Sequence, residues 1–254
     1  MKTITFPVGY RPEYLKQFLA YLAGQDLSDY KIICSAERSP ACIEVLEDCE
    51  LPITILHKPN STGVRSHSGA RDNMFNVLNY AFKNGSTFNV HLEDDFILSP
   101  DTLNLTDWYY NNFKDNPLAY MSYGLFNWGS TGNDYQGLVT APSFHGLGWA
   151  TFKEGWELCY GKYWYDDGLA SKYANAYGWD WAVQAAFSEF KYKSILPAVS
   201  RTFHAGRVNG TCCTVGFYDK TYTNLVWNKT EKIKDFILRD GTEAKHLYPQ
   251  GEKK

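Results

Sequence analysis

Four apolar runs, Thr3–Pro7, Tyr30–Ala36, Ile53–His57 and Phe88–Leu92, alternate with three segments of helical spacing in the first 95 residues. Pro12–Leu22 carries Leu15, Phe18, Leu19 and Leu22 on one helical face, with Pro12 at a tolerated first-turn position. Pro40–Leu46 is a second, shorter helix, and Ala70–Lys83 is a third, with Met74, Val77, Leu78, Ala81 and Phe82 on one side. A β-α-β-α-β-α-β order requires parallel strands joined by right-handed crossovers. Runs such as YKIICSA have no polar face, so the sheet is covered by helices on both sides. The predicted class is therefore α/β: a Rossmann-like, mostly parallel central sheet flanked by helices. In such sheets ligands bind outside the carboxyl ends of the strands. Gly9-Tyr10-Arg11 follows the first strand, Glu37-Arg38-Ser39 the second and Glu93-Asp94-Asp95 the fourth.

The remainder is less regular. The spacing predicts helices over Ser99–Phe113, Trp179–Phe190 and Thr230–Leu238, and strands over Leu118–Gly124 and Tyr192–Leu196. Asn209–Tyr218, with Gly210 and Gly216, reads as a mobile loop. No linker, repeat or low-complexity tract divides the 254 residues, so we expect a single domain over 1–254 with a less regular C-terminal part. A net charge of −3 argues against a nucleic-acid partner, and no apolar run is long enough for a membrane span. The opening MKTITFPVGYRPEYLK has no apolar signal-peptide core, and the six cysteines form no C-x-x-C pair. Both features lead us to expect a cytoplasmic protein with reduced thiols. The aromatic count is high, 19 Tyr, 15 Phe and 8 Trp; aromatics mostly fill cores, and an excess also suits a protein that handles sugars.

Glu93-Asp94-Asp95 is the strongest chemical signal. Three carboxylates at a strand end repel one another unless a cation neutralises them, and a hard divalent ion, Mn²⁺ or Mg²⁺, completed by phosphate oxygens and water suits such a set. Strand alternation would send Glu93 and Asp95 to one side and Asp94 to the other. Arg71, with Arg65 and His67 just before it, could meet a diphosphate, though its spacing fits an ordinary surface arginine better. Asp180 stands between Trp179 and Trp181, where a raised pKa would suit a general base; a helix cap is the alternative. His204 is a candidate metal or phosphate contact, with a structural histidine as the alternative. Gly146-Leu147-Gly148-Trp149 is a candidate pocket wall whose glycines permit close approach. Asp166-Asp167 beside Gly168 reads as a turn.

These segments together resemble the N-acetylglucosaminyltransferase I group, which includes the protein O-mannose β-1,2-N-acetylglucosaminyltransferase. The resemblance rests on Gly9-Tyr10-Arg11-Pro12-Glu13-Tyr14-Leu15, HLEDDFILSPDTL at His91–Leu103, HGLGWA at His145–Ala150, WDW at Trp179–Trp181 and PAVSRTFHAGRVNG at Pro197–Gly210, in that order. It implies a GT-A fold with a nucleotide-sugar-binding half over 1–95 and an acceptor half over 96–254. It implies an inverting, metal-dependent transfer of a sugar, GlcNAc from UDP-GlcNAc, to a hydroxyl of a carbohydrate or glycoconjugate acceptor. It further implies Asp95 as the metal ligand for Mn²⁺ or Mg²⁺, Asp180 as the base, and Glu93, Asp94, Arg71, Glu37, Leu147 and Trp179 on the donor. His204, Arg201 and Trp149 are weaker candidates. The chain departs from that pattern in having Trp181 directly after Asp180.

Two other readings remain open at this level. A sugar nucleotidyltransferase would share the sheet and the acids, but Phe6–Pro12 lacks the glycine-rich loop such an enzyme carries. A non-catalytic carbohydrate-binding protein would use the aromatics but would not need three acids at a strand end.

Overall fold

A computed structural model describes residues 1–57, 67–130, 132–208 and 214–243. The four apolar runs form β1 (Lys2–Val8), β2 (Tyr30–Ala36), β3 (Ile53–His57) and β4 (Phe88–His91). The segments between them are α1 (Pro12–Ala23), α2 (Pro40–Glu47) and α3 (His67–Lys83). β1 pairs in parallel with both β2 and β4, and β2 with β3. The chain thus steps outward from β1 to β3 and returns to β4 on the other side of β1. This reversal is a topological switch point, the place in such sheets where ligands bind, at the carboxyl ends of β1 and β4.

Next come β5 (Phe96–Leu98), α4 (Thr102–Phe113), β6 (Ser122–Gly124), β7 (Gly137–Ala141) and β8 (Trp149–Phe152). A continuous helical stretch follows: α5 (Lys153–Gly155), a π-helical turn (Trp156–Tyr160) and α6 (Gly161–Tyr163). The chain continues through α7 (Asp167–Ala174), α8 (Trp179–Phe190), β9 (Ser194–Pro197), β10 (Thr202–His204), α9 (Val215–Thr221) and β11 (Ile237–Glu243). Among the described residues one nine-stranded sheet runs in the order β11-β7-β9-β6-β8-β4-β1-β2-β3, and β5 with β10 makes a separate ribbon. β8 is antiparallel to both β4 and β6. Its first residue, Trp149, therefore sits opposite His91, and the glycine-rich segment before it lies at the carboxyl end of β4.

Alternation along the strands separates two cores. Ile4, Phe6 and Val8 of β1 and Ile32, Cys34 and Ala36 of β2 pack with Leu15, Phe18, Leu22, Leu103 and Tyr109. On the other face Ile33 packs with Val77, Leu78, Phe82, Trp149, Trp164, Trp179 and Phe187. Each buried aromatic contributes on the order of 2–3 kcal/mol of transfer free energy, so most of the aromatic excess is spent on these two layers.

Several expectations for the second half are corrected. α4 starts at Thr102, not Ser99: the Thr102 N–H closes a turn on the Ser99 carbonyl, the Asp101 carbonyl takes a helical bond from the Leu105 N–H, and the Asp101 carboxylate is engaged by Arg201 and Asn228. The strand expected over Leu118–Gly124 shortens to β6. Thr230–Leu238 is not a helix. The Asn228 amide accepts from the Glu231 N–H and donates to the Glu231 carbonyl, closing a local turn that competes with helix. Phe236 is buried, and β11 begins at Ile237, parallel to β7. Within the expected loop Asn209–Tyr218, residues 209–213 lie outside the described residues. Val215 starts α9, capped by Thr214, whose Oγ1 accepts from the Phe217 N–H (3.2 Å). No helix among the described residues is long and apolar enough to cross a membrane.

Candidate active site

The carboxyl ends of β1 and β4 bring together residues from three distant parts of the chain. β4 ends at His91, and the turn that follows releases Glu93, Asp94 and Asp95 from strand alternation. Asp94 and Asp95 consequently meet one guanidinium rather than pointing apart. Arg11 Nη2 donates to Asp94 Oδ1 (2.7 Å) and Nη1 to Asp95 Oδ2 (2.6 Å). The Gly9 N–H donates to the other Asp94 oxygen (2.8 Å). Asp94 therefore fastens the β1–α1 loop across the switch point.

The third part is β10. Its antiparallel pairing with β5 sets His204 beside Phe96, and the Ala205 N–H donates to the Asp95 carbonyl (2.8 Å). His204 Nε2 then lies 3.3 Å from Asp95 Oδ2. The next glycine closes the cluster: a Cβ at Gly206 would stand 2.2 Å from Asp95 Oδ2, 2.9 Å from His204 Cε1 and 3.0 Å from Arg11 Nη1. Only a residue without a side chain fits there.

Charge settles unevenly in this cluster. Burial pushes the Glu93 carboxyl up, and the Asp95 charge beside it adds to the rise. Asp94 is also raised by burial, against the pull of Arg11. Asp95 is held below the usual carboxylate range, because His204 and Arg11 together outweigh its burial. Burial disfavours the charged forms of His204 and Arg11, yet the neighbouring carboxylates raise both. Asp95 is thus the fixed anion of the site.

Asp95 Oδ1 is buried with no hydrogen-bond partner among the described residues, as is His204 Nδ1. Among those residues no group of three His, Cys, Asp or Glu side chains is arranged to hold a metal by itself. The donor chemistry fits a hard divalent ion that takes one carboxylate from the protein and completes its shell with phosphate oxygens and water.

A run of contacts leads from this cluster to Asp180. At the near end of β10 the Thr202 hydroxyl donates to the Leu147 carbonyl (2.7 Å). Thr202 also crowds Gly148, whose φ of +86° a side chain would resist. Gly146 lies against the Trp179 ring, whose Cη2 is 3.5 Å from a Cβ placed on it. Trp179 is buried, stacks on Trp164 with centroids 4.3 Å apart and meets Phe144 edge-on. It opens α8, and Asp180 follows in the first turn, half-buried. The N-cap is Gly178 (φ +122°), so Asp180 is not the helix cap.

Other expected residues stand elsewhere. Glu37 is buried at the end of β2 and accepts a long bond from the Tyr10 hydroxyl (3.4 Å), within the same strand-end layer. Arg71 pairs with Asp167 (2.8 Å) and lies over the Tyr165 ring, tying α3 to α7. Asp166 and Asp167 are therefore more than a turn: Asp166 caps α7 and Asp167 anchors it. Arg65 lies outside the described residues. Arg201 is fully buried, bonded to Asp101 (2.8 Å) and to the Val199 and Tyr135 carbonyls, and is a structural cation. Trp149 is a core residue, stacked on Tyr160 (4.4 Å).

Arg11 and Gly206 stand within Gly9–Leu15 and Pro197–Gly210, but nothing in those motifs marks them as partners of Asp95. Their role depends on β1 lying beside β4 and on β10 folding back onto β5, which no local pattern encodes.

No protein-family model matches the chain, and no curated protein matches it. Solved structures do. S. aureus TarS 1-349 in complex with UDP-GlcNAc is similar at a TM-score of 0.52 and 11% identity, over 86% of this chain and 63% of that one. The mannosyltransferase PcManGT from Pyrobaculum calidifontis, in complex with GDP-Man and Mn²⁺, gives 0.46 and 14%, over 79% and 57%. The chain thus spans less than two thirds of each of these structures. The likeness is one of fold: a GT-A-type α/β architecture.

Proposed function

We propose that the protein is an inverting, metal-dependent glycosyltransferase that moves a sugar, GlcNAc from UDP-GlcNAc, to a hydroxyl of a glycan or glycoconjugate. The observation that carries this reading is the acidic cluster at the β1/β4 switch point, joined through β10 and the Gly146–Gly148 segment to Asp180. A nucleotide diphosphate bound there would lie against Asp95, and its sugar would extend toward Trp179. The fold relative S. aureus TarS 1-349 was solved in complex with UDP-GlcNAc, which agrees with this choice of donor.

Asp95 would hold the Mn²⁺ or Mg²⁺, with His204 beside it. The ion supplies Lewis-acid compensation for the charge that develops as the diphosphate leaves. Glu93 would contact the donor sugar. Asp94, held by Gly9 and Arg11, would fix the loop over the nucleotide, and Glu37 would sit nearby at the end of β2. Leu147 and Trp179 would wall the sugar, with Trp179 set by its stack on Trp164. Arg71 would act from a distance by holding α7, which packs beside α8.

Asp180 would take the proton from the acceptor hydroxyl as that oxygen attacks the anomeric carbon. The bond from that carbon to the diphosphate oxygen breaks with its electron pair, and UDP leaves. One displacement inverts the centre, so no protein nucleophile is required.

The test separates binding from chemistry. Asp95→Ala should abolish metal-dependent donor binding. Asp180→Asn should bind UDP-GlcNAc within about twofold of the parent and lose transfer by about 10²-fold or more, the scale of a positioned base. Transfer by Asp180→Asn at the parental rate would remove it as the base.

A further inference from the structure

We propose that Arg11 is the resident counter-cation of the acidic site. Its guanidinium and a divalent ion exclude one another at Asp95, so the metal enters only together with a nucleotide diphosphate. This rests on the reading that Asp95 is the metal carboxylate.

The contact is a built one. Arg11 spans two carboxylates with bonds of 2.6 and 2.7 Å, and its side chain is 14% exposed against 5% for Asp94 and 1% for Asp95. A planar guanidinium suits such a bridge in a way that a point charge does not. Pro12 follows directly, and its ring fixes the backbone where Arg11 meets α1. The loop is further pinned by the Gly9–Asp94 bond.

The exclusion is electrostatic and steric. Arg11 and His204 both reach Asp95 Oδ2, and Gly206 closes over the same oxygen. The remaining oxygen, Oδ1, is sealed from solvent. A dication placed on either oxygen would stand within one carboxylate's width of a permanent positive charge. A diphosphate reverses that balance, because its negative charge accompanies the metal and gives Arg11 an anion to face. Removing the Arg11 charge leaves two adjacent carboxylates repelling each other, a state that a dication relieves.

The experiment is a titration of Mn²⁺ alone, followed by free-Mn²⁺ electron paramagnetic resonance, into the nucleotide-free full chain. The parent, Arg11→Gln, and Arg11→Gln combined with Asp95→Asn are compared, and the parent and Asp95→Asn are repeated with UDP. Arg11→Gln should bind Mn²⁺ at least tenfold tighter than the parent, and the added Asp95→Asn should remove the gain. Equal or weaker Mn²⁺ binding by Arg11→Gln overturns the proposal, while loss of UDP-linked Mn²⁺ binding in Asp95→Asn would still leave the metal reading intact. Unchanged UDP-linked binding in Asp95→Asn overturns that reading and this proposal with it. If Arg11→Gln folds only with metal, its refolded fraction against Mn²⁺ reports the same affinity. A midpoint below the parental dissociation constant supports the proposal, and no recovery at any Mn²⁺ concentration overturns it.

Discussion

His204 Nε2 lies 3.3 Å from Asp95 Oδ2, joining residues more than a hundred positions apart. The join depends on two three-residue strands, β5 and β10, pairing outside the main sheet. It converts a strand-end acid into a carboxylate fixed from both sides, by Arg11 from the first β–α loop and by His204 from β10.

Gly206→Ala should impair the site through sterics alone. The new methyl would stand 2.2 Å from Asp95 Oδ2, so the carboxylate or the β10 end must shift. We expect at least a tenfold loss of Mn²⁺-dependent nucleotide affinity by calorimetry, with a stability cost of about 1–3 kcal/mol, the usual scale of overpacking. Gly216→Ala in α9, where nothing lies within 4 Å of the added atom, is the control and should bind as the parent does.

Arg201→Ala should unfold the protein more readily without touching donor specificity. Arg201 and Asp101 are both fully buried, and Asn228 takes the second Asp101 oxygen. Removing one partner of such a pair costs about 3–5 kcal/mol. Urea denaturation should show that loss, and Arg201→Met combined with Asp101→Asn should recover part of it. The folded fraction of Arg201→Ala should bind nucleotide within about twofold of the parent.

Much of the first half was legible because its strands are continuous apolar runs and its helices have a clear apolar face. The acids after β4 were legible for the same reason, since they interrupt an apolar strand. Their geometry was not, because alternation ends with the strand at His91 and a turn brings Asp94 and Asp95 to one guanidinium. Arg201 and Trp149 sit inside informative motifs yet serve packing, the first as a buried ion pair and the second opposite His91 in the sheet. The segment around Ile233, Phe236 and Ile237 has helical spacing, but Asn228 and the β7 edge offer competing hydrogen bonds. Three-residue strands such as β5 carry too few positions for a periodicity to register.

His91 supplies a pH dependence of stability. Burial pushes its imidazole from 6.5 to about 3, and Nε2 has no partner among the described residues. Below pH 6.5 the unfolded chain takes up a proton that the folded chain refuses, so stability present above that pH is lost as the pH falls toward 3. The slope from this group is at most about 1.4 kcal/mol per pH unit. Urea midpoints at pH 7, 6, 5 and 4 should fall less steeply for His91→Gln than for the parent.

On the proposed reading, the carboxyl ends of β1 and β4 bind a nucleotide sugar through a metal held at Asp95. Calorimetric titration of UDP-GlcNAc, UDP-Glc and GDP-sugars, each with Mn²⁺ and with EDTA, tests it most directly. UDP-GlcNAc should bind saturably in Mn²⁺, the others more weakly, and binding should be lost in EDTA and in Asp95→Ala. Absence of metal-dependent binding of any nucleotide sugar would contradict it and reduce Glu93-Asp94-Asp95 to an acidic turn neutralised by Arg11.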